Sequence, residues 1–282
     1  MKMHRAKKSL GQNFLKSEIA LRQIIDAGEI KSDDVILEIG PGKGALTEKL
    51  LERAKLVIAV EKDRELFEML REKFAEQIKA RSFVLVHGDI LEFKVESYKV
   101  KSYKVIANIP YNITGAILKK FLTEKNQPEM MVLMVQHEVA TRILARDGKE
   151  SILSISVKAY GQPKMVAKVD KRYFSPAPKV NSAIIAIKNI SRKNFTPLLV
   201  EEGVGGGDSR KNHLALKDTP PQKGGEERFW EIVKTGFAHK RKKLASNLKN
   251  ICQRDTLTFL GNKRAENLTL ADWISLSKEW YN

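Results

Sequence analysis

Short apolar runs alternate with segments of helical periodicity over the first half of the chain. The apolar runs are rich in valine and isoleucine, and they occupy residues 35–39, 56–60, 83–86, 105–107 and 130–135. Runs of this length and composition predict buried strands, while the spacing of apolar residues in segments 45–54, 63–79 and 114–122 predicts helices. The alternation predicts an α/β fold class, a doubly wound domain whose parallel sheet is covered by helices.

The pattern is less regular beyond residue 136. Residues 137–160 favour helix, and residues 183–187 favour a late strand that pairs as a hairpin with residues 166–169. At about 199–227 the periodicity disappears in a segment with six glycines and two prolines, which is typical of a mobile loop or an insertion. Helical spacing returns at 229–250 and 268–280, where Trp273, Leu276 and Trp280 share one face. We therefore expect an α/β domain at 1–190 and a small, basic, all-α domain at 191–282.

Composition narrows the class of protein. With 42% hydrophobic and 30% charged residues, the chain has the balance of a soluble globular protein. Its longest purely apolar run, at 130–135, is far too short to span a membrane, and the basic amino terminus is not followed by the apolar stretch of a secretory signal. Cys252 is the only cysteine, so no intrachain disulfide can form. These features predict a cytoplasmic protein without a membrane partner.

The charge points to a polyanionic partner. Lysine and arginine total 51 against 34 acidic residues, a formal net charge of +17. Segments 1–16 and 232–251 each carry several basic residues and no acidic ones. Such patches are typical of proteins that contact nucleic-acid phosphates. A solubilising lysine-rich surface and acidic lipids are the alternatives, although neither patch adjoins an apolar anchor.

The sequence "EIGPGKGAL" places three glycines, Gly40, Gly42 and Gly44, between the first predicted strand and its helix. Glycines there let the backbone approach a ligand without a Cβ, and the start of the helix offers free N–H groups. The turn suits the methionine end of S-adenosylmethionine or a dinucleotide, and its spacing also satisfies the looser dinucleotide fingerprint. A tight turn without a ligand is the structural alternative.

Carboxylates follow the second and third predicted strands. Glu61 lies 21 residues after Gly40, where its side chain can accept both ribose hydroxyls of a nucleoside cofactor. Asp89 ends the third strand, where it can accept a hydrogen bond from an adenine amino group while Ile90 packs on the ring. A helix-capping role is the alternative for Asp89.

The stretch "NIPY" follows the fourth predicted strand. Asn108, Pro110 and Tyr111 therefore belong to the same sheet edge as the glycine turn, and open α/β sheets bind ligands at that edge. An exocyclic adenine nitrogen is a poor nucleophile because its lone pair is delocalised. The Asn108 side-chain oxygen and a backbone carbonyl of residues 109–110 can grip its hydrogens and turn the lone pair towards a methyl donor. Pro110 stiffens the loop and Tyr111 offers a face for stacking.

Several separated motifs together resemble the ribosomal RNA adenine dimethyltransferase family, which uses S-adenosylmethionine to form N6,N6-dimethyladenosine. The motifs are "LGQNFL" at 10–15, "LEIGPGKGALTEKL" at 37–50, "VEKD" at 60–63, "GDIL" at 88–91, "NIPYNIT" at 108–114 and "FSPAPKVNSA" at 174–183. The resemblance implies a Rossmann-like methyltransferase fold with cofactor contacts from Asn13, Leu15, Gly40, Gly42, Glu61, Asp89, Ile90 and Asn108. It also implies that Tyr111 and Phe174 sandwich a target adenine flipped out of its RNA.

The small-subunit branch of the family is indicated by "GFAHKRKKLASNL" at 236–248, which resembles a basic carboxyl-terminal helix of that branch. The resemblance implies that Lys240, Arg241, Lys242 and Lys243 contact small-subunit ribosomal RNA in an assembling particle, and we expect a monomer. Asn181, where the family usually has aspartate, and the long connection at 199–227 depart from the pattern. No metal is expected. Alternatives are a large-subunit methyltransferase, a non-catalytic RNA-binding assembly factor, and a nicotinamide-dependent oxidoreductase.

Overall fold

The computed structural model describes residues 5–195, 224–252, 257–258 and 260–279. Most of the loop expected at 199–227, and the predicted packing of Trp280, lie outside these residues. The chain divides into two compact units, Met1–Ser191 and Arg192–Asn282, which are described separately.

A seven-stranded mixed sheet forms the centre of the first unit. Its strands are β2 (Val35–Ile39), β3 (Leu56–Glu61), β4 (Phe83–His87), β5 (Lys104–Asn108), β6 (Met130–Gln136), β7 (Gln162–Val169) and β9 (Ser182–Lys188). The strand order is β4-β3-β2-β5-β6-β9-β7, with β9 antiparallel to both of its neighbours and the other pairs parallel. Two short strands, β1 (Phe14–Leu15) and β8 (Phe174–Ser175), pair separately. The five predicted strands and the late hairpin are confirmed.

Helices cover this sheet. They are α1 (Glu18–Ala27), α2 (Ala45–Leu51), α3 (Arg64–Lys73), α4 (Ala75–Lys79), α5 (Thr114–Thr123), α6 (His137–Leu144) and α7 (Ile152–Lys158). Successive strand residues point to opposite faces, yet neighbours such as Ile36 and Leu37, or Val132 and Leu133, are equally buried. The sheet is therefore covered on both faces, which explains why its strands are continuous apolar runs.

One predicted helix is interrupted. The segment 63–79 was expected to be a single helix, but α3 ends before Phe74, whose φ of −110° and ψ of 28° are not helical. The Phe74 ring packs edge-on against Phe83 at 5.3 Å, and a Cβ added to Gly44 would lie 2.7 Å from that ring. Tertiary packing of one aromatic residue thus overrides the local helical periodicity.

The second unit contains helices α8 (Gly225–Gly236), α9 (Leu244–Leu248) and α10 (Leu270–Glu279). The prediction of one helix at 229–250 is wrong, because the chain turns between Gly236 and Leu244. Trp273 is fully buried against Gly236, and the Asn247 side-chain amide donates to the Gly236 carbonyl at 2.6 Å, which ends α8. The four residues at 240–243 therefore lie in a turn between two helices, and not on a continuous basic helix.

Candidate functional site

A cleft opens where the carboxyl ends of β2, β3, β4 and β5 meet the amino-terminal segment. Its lining includes the predicted residues Asn13, Leu15, Gly40, Gly42, Glu61, Asp89, Ile90, Asn108, Pro110 and Tyr111. These residues are up to 98 positions apart in the sequence, and they converge because the ends of parallel strands meet at one edge of the sheet. The structure therefore brings every predicted cofactor-contacting residue to one cleft.

The glycine turn forms the floor of the cleft. Gly40, Gly42 and Gly44 all have positive φ angles, 61°, 62° and 80°, a conformation that side chains other than glycine rarely adopt. The Gly40 amide donates to the Val60 carbonyl at 3.0 Å, which ties the turn to the neighbouring strand β3. A Cβ at Gly40 would approach nothing closer than 4.0 Å, so the space beside it is open to a ligand.

Glu61 connects the turn to the next strand. Its carboxylate accepts the Gly42 amide at 3.1 Å and the Asp63 amide at 2.8 Å. The side chain is buried, and burial raises the pKa of Glu61 while these backbone hydrogen bonds oppose the rise. A carboxylate offers about four acceptor positions, so these two hydrogen bonds leave acceptor capacity for a hydroxyl donor of a ligand.

Asp89 and Ile90 follow β4. One Asp89 oxygen accepts the Leu91 amide at 2.9 Å, and the other pairs with the Lys62 ammonium at 2.8 Å. The hydrogen bond from Lys62 lowers the pKa of Asp89. Asp89 therefore stabilises a turn and does not cap a helix, which was the alternative role, and it also lines the cleft with the buried Ile90 beside it.

The segment Asn108 to Tyr111 continues β5 into a short 3-10 turn. The Asn108 amide nitrogen donates to the Asn13 backbone carbonyl at 3.2 Å. Because a carbonyl only accepts, this contact fixes which end of the amide carries the nitrogen and leaves the Asn108 oxygen as an acceptor. The Tyr111 hydroxyl lies 2.6 Å from the Ser182 hydroxyl, and burial raises the pKa of Tyr111. A neutral, tethered phenol suits stacking better than proton transfer.

Among the residues predicted to contact the cofactor or the target base, Phe174 is the one that does not line the cleft. Its side chain is 2% exposed and belongs to the apolar core, and it does not line the cleft. It pairs with Leu15 in the small β1–β8 ladder. The buried Phe174 ring therefore offers no exposed face in this structure for the predicted sandwich of a base against Tyr111.

The amino-terminal segment makes contacts that the sequence reasoning missed. The Lys7 ammonium and the Gln12 side-chain amide each donate to Asp63 at 2.8 Å. Although burial opposes ionisation, these two hydrogen bonds lower the pKa of Asp63. The Asp63 amide in turn holds Glu61, so the segment is tied to the carboxylate beside the glycine turn. The motif "VEKD" contained the signal, but only its glutamate was given a role.

A second missed contact lies beneath the glycine turn. Glu38 is 1% exposed, and the Thr47 hydroxyl donates to it at 2.7 Å. Burial raises the pKa of Glu38 to about 8, against the Thr47 hydrogen bond, and the charge of Glu61 adds to the rise. Because of this raised pKa, the Glu38 carboxyl is protonated at neutral pH. Glu38 also lines the cleft under the glycine turn.

Other candidate sites are limited to what the described residues allow. Within them, no group of histidine, cysteine and carboxylate side chains could hold a metal ion, and no helix is long and apolar enough to cross a membrane. In the second unit, Lys240, Arg241, Lys242 and Lys243 are all exposed, and none of them pairs with an acidic residue in the described part of the chain.

The sheet order, the antiparallel β9, the glycine turn with its carboxylate neighbour, and the polar loop after β5 define a class of protein. They are the features of Rossmann-like methyltransferases that depend on S-adenosylmethionine. The fold agrees with two solved structures. The crystal structure of the 23S rRNA methyltransferase ErmE has a TM-score of 0.72 at 24% identity, covering 96% of this chain and 100% of that one. A dimethyladenosine transferase from Plasmodium falciparum has a TM-score of 0.72 at 26% identity, covering 93% and 95%.

Sequence comparison identifies the family. The family model described as ribosomal RNA adenine dimethylase matches residues 3–197. A protein from Dehalococcoides mccartyi named ribosomal RNA small subunit methyltransferase A is 37% identical over 98% of this chain and 89% of its own length. Proteins of the same name from Fusobacterium nucleatum and Thermosynechococcus vestitus are 36% and 37% identical over 96% and 98% of this chain, and 96% and 97% of their own lengths. The chain belongs to the ribosomal RNA adenine dimethylase family.

Proposed function

We propose that this protein transfers two methyl groups from S-adenosylmethionine to the N6 atom of adenosines in small-subunit ribosomal RNA. The observation that carries the proposal is the Asn108 amide, which is oriented by the Asn13 carbonyl so that its oxygen remains an acceptor beside the cleft. The names of the full-length relatives support the small-subunit substrate.

The residues of the cleft fit the cofactor. Gly40 leaves open space where a methionine moiety can approach the backbone, and Glu61 retains acceptor positions for ribose hydroxyls. Asp89 is ionised and can accept a hydrogen bond from an adenine amino group, with buried Ile90 beneath the ring. When bound, S-adenosylmethionine supplies an electrophilic methyl group.

The chain's own contribution to catalysis is positioning of the target amine. The Asn108 oxygen accepts one N6 hydrogen, and a carbonyl of residues 109–110 accepts the other, which favours a pyramidal nitrogen with a directed lone pair. Pro110 has a φ of −62° and holds this part of the loop rigid. Tyr111 supplies a stacking face, and its raised pKa means that it stays protonated. Fixed acceptors of this kind act without a strong general base.

The RNA contacts come from basic segments of both units. In the second unit the exposed turn at 240–243 presents four cations, which suits the backbone phosphates of folded RNA in an assembling small subunit. The large positive charge gives a salt-dependent association with that particle. The protein acts in this scheme as a cytoplasmic monomer, and size-exclusion chromatography with and without RNA tests the monomeric state.

Labelled S-adenosylmethionine and purified particles test the proposal. We expect N6,N6-dimethyladenosine in small-subunit RNA and none in large-subunit RNA, as mapped by mass spectrometry of nuclease fragments. Labelling confined to the large-subunit RNA would overturn the choice of substrate. Asn108→Ala removes one of two acceptors and is expected to lower kcat by about 100-fold or more while raising the cofactor Kd only a few-fold. Equal loss of both quantities would contradict the role given to Asn108.

A further inference from the structure

We propose that Tyr173 is a stacking platform for an unpaired nucleotide next to the target adenosine, and that phosphates of the same strand pass over Lys171 and Lys179. This inference rests on the proposed function and adds an RNA-binding surface on the first unit. The partner is identified by chemistry: an aromatic face with nearby cations binds single-stranded nucleic acid, because every base has a π-face and every linkage carries a charge.

The exposure of Tyr173 is the first observation. Its side chain is 46% exposed, whereas its neighbour Phe174 is 2% exposed. The phenylalanine is thus committed to the core, and the adjacent tyrosine turns its ring to solvent. Large aromatic side chains are usually buried, and exposed ones flanked by cations are common in nucleic-acid surfaces.

The second observation is the position of Tyr173 at the rim of the site. Its backbone carbonyl accepts the Lys16 amide at 2.8 Å, directly after β1, whose Leu15 lines the cleft. On the other side, the Lys171 amide donates to the Asn181 side chain at 3.0 Å, and Asn181 precedes Ser182, which contacts the Tyr111 hydroxyl. Tyr173 is therefore fixed between the cofactor-contacting segment and the loop that receives the target base.

Charge is the third observation. The only acidic residue between 164 and 181 is Asp170, and Arg172 neutralises it with contacts of 2.9 and 3.2 Å. Five lysines of the amino-terminal segment, β7 and residues 171–179 are exposed, and none of them is ion-paired within the described residues. They are Lys16, Lys164, Lys168, Lys171 and Lys179. The net surface charge is positive, which favours a polyanion over a protein partner of mixed charge.

The backbone at Tyr173 is held by hydrogen bonds within a short turn. Tyr173 ends a 3-10 turn that begins after Asp170, and the Asp170 carboxylate accepts the Arg172 amide at 2.9 Å. The Tyr173 amide donates to the Asp170 carbonyl at 3.1 Å. A ring held on a short hydrogen-bonded turn loses little conformational entropy when a base stacks on it.

Equilibrium binding of small-subunit RNA and steady-state methylation, measured together, test the inference. Tyr173→Ala is expected to raise both the RNA Kd and the RNA KM by roughly ten-fold, and to leave the cofactor Kd unchanged. Tyr173→Phe keeps the ring, so its RNA Kd should stay within about two-fold of wild type. Tyr98→Ala removes another exposed tyrosine, one that does not line the cleft, and is the matched control.

The salt dependence of RNA binding tests the phosphate contacts proposed for Lys171 and Lys179. Lys171→Ala and Lys179→Ala are each expected to make the slope of log K against log salt shallower by about 0.7, the value for one phosphate contact on a single strand. Lys55, an exposed lysine at the amino end of β3, gives the control variant Lys55→Ala with an unchanged slope.

The outcomes separate the two proposals. An RNA that binds but is never methylated would overturn the proposed function, while a weakened RNA Kd in Tyr173→Ala alone would still support the platform. Normal methylation by wild type with an unchanged RNA Kd in Tyr173→Ala would overturn the platform and leave the proposed function standing. Equal weakening by Tyr173→Ala and Tyr173→Phe would also overturn it, because the ring would not be the binding element.

Discussion

Replacing Glu38 by glutamine should remove a large pH dependence from the stability of the first unit. Glu38 is buried beneath the glycine turn, and the Thr47 hydroxyl donates to its carboxyl group at 2.7 Å. Burial raises its pKa to about 8, from an ordinary value of 4.5. The folded protein therefore keeps a proton on Glu38 in a pH range where the unfolded chain has already released it.

The sign and the size of the pH effect on the free energy of unfolding follow from this difference in the pKa of Glu38. A carboxyl group whose pKa is raised by folding contributes its full stability below pH 4.5 and loses that contribution as the pH rises through about 8. At about 1.4 kcal/mol per pH unit, the complete loss is roughly 5 kcal/mol. Relaxation around the ionised group reduces this cost, so we expect wild type to lose about 2 to 5 kcal/mol more than Glu38→Gln over the window. Glutamine keeps an acceptor for Thr47 and has no proton to release.

The assay is urea unfolding of the cofactor-free protein from about pH 5 to about pH 9. Far-UV circular dichroism is the suitable probe, because all three tryptophans, Trp230, Trp273 and Trp280, belong to the second unit. Glu48→Gln removes an exposed carboxylate from α2 and controls for the loss of one negative charge.

Parallel profiles for wild type and Glu38→Gln would refute the reasoning, because Glu38 would then have the same pKa in both states. A flattened profile in Glu48→Gln as well would assign the effect to overall charge. The expected result is a divergence that grows with pH and that only the Glu38 substitution removes.

The remaining predictions concern the amino-terminal segment and the second unit. Asp63→Asn weakens the contact with Lys7, so we expect the cofactor Kd and its dissociation rate to rise about ten-fold with little change in kcat, measured by stopped-flow binding. A drop in kcat without a change in Kd would contradict this. Gly236→Ala places a Cβ 2.4 Å from the buried Trp273 ring, so we expect a loss of about 1 to 3 kcal/mol in a tryptophan-monitored unfolding transition; an unchanged transition would show that the contact is not tight.

The parallel part of the fold was predictable because its strands are buried on both faces. Each becomes a continuous apolar run, and each run ends where the chain needs glycine or hydrogen-bonding side chains. The start of β5 at Lys104 was not predicted. The predicted strand at 105–107 leaves Lys104 out, yet Lys104 begins β5, is buried, and donates to Asp34 at 2.7 Å and to the carbonyl of Glu29 at 2.7 Å. Periodicity cannot show that a carboxylate and a backbone carbonyl, both about 70 residues away in the sequence, satisfy this ammonium.

The two wrong helix predictions, at 63–79 and 229–250, have the same cause. Phe74 interrupts the helical segment after β3 because its ring is needed under Gly44, and α8 ends at Gly236 because Trp273 and the Asn247 side chain occupy its end. In both cases the local sequence favours helix, and a contact from a distant part of the chain decides otherwise. The basic residues at 240–243 consequently form a turn, which presents their charges in several directions and not along one helical face.

The residues that line the cleft were easier to predict from the sequence than the contacts that hold them in place. Strand ends and glycine turns follow from local pattern, so Gly40, Glu61, Asp89 and Asn108 could be predicted to share one sheet edge, and all four line the cleft. Phe174 was assigned to the target base, but its pairing with Leu15 buries it, a consequence of two strands that are 160 residues apart. Strands of only two residues are too short to show an alternation of apolar and polar residues, so such a pairing cannot be predicted from the sequence.

The amino-terminal segment shows how the parts of the site depend on one another. Its Lys7 and Gln12 hold Asp63, whose amide holds Glu61, while the Asn13 carbonyl orients Asn108. One stretch of chain is therefore linked by hydrogen bonds to both Glu61 and Asn108, the residues to which the proposed function assigns the cofactor ribose and the target amine. Displacing the segment would remove the carbonyl that orients the Asn108 amide, so this support is a condition for the acceptor role proposed for Asn108.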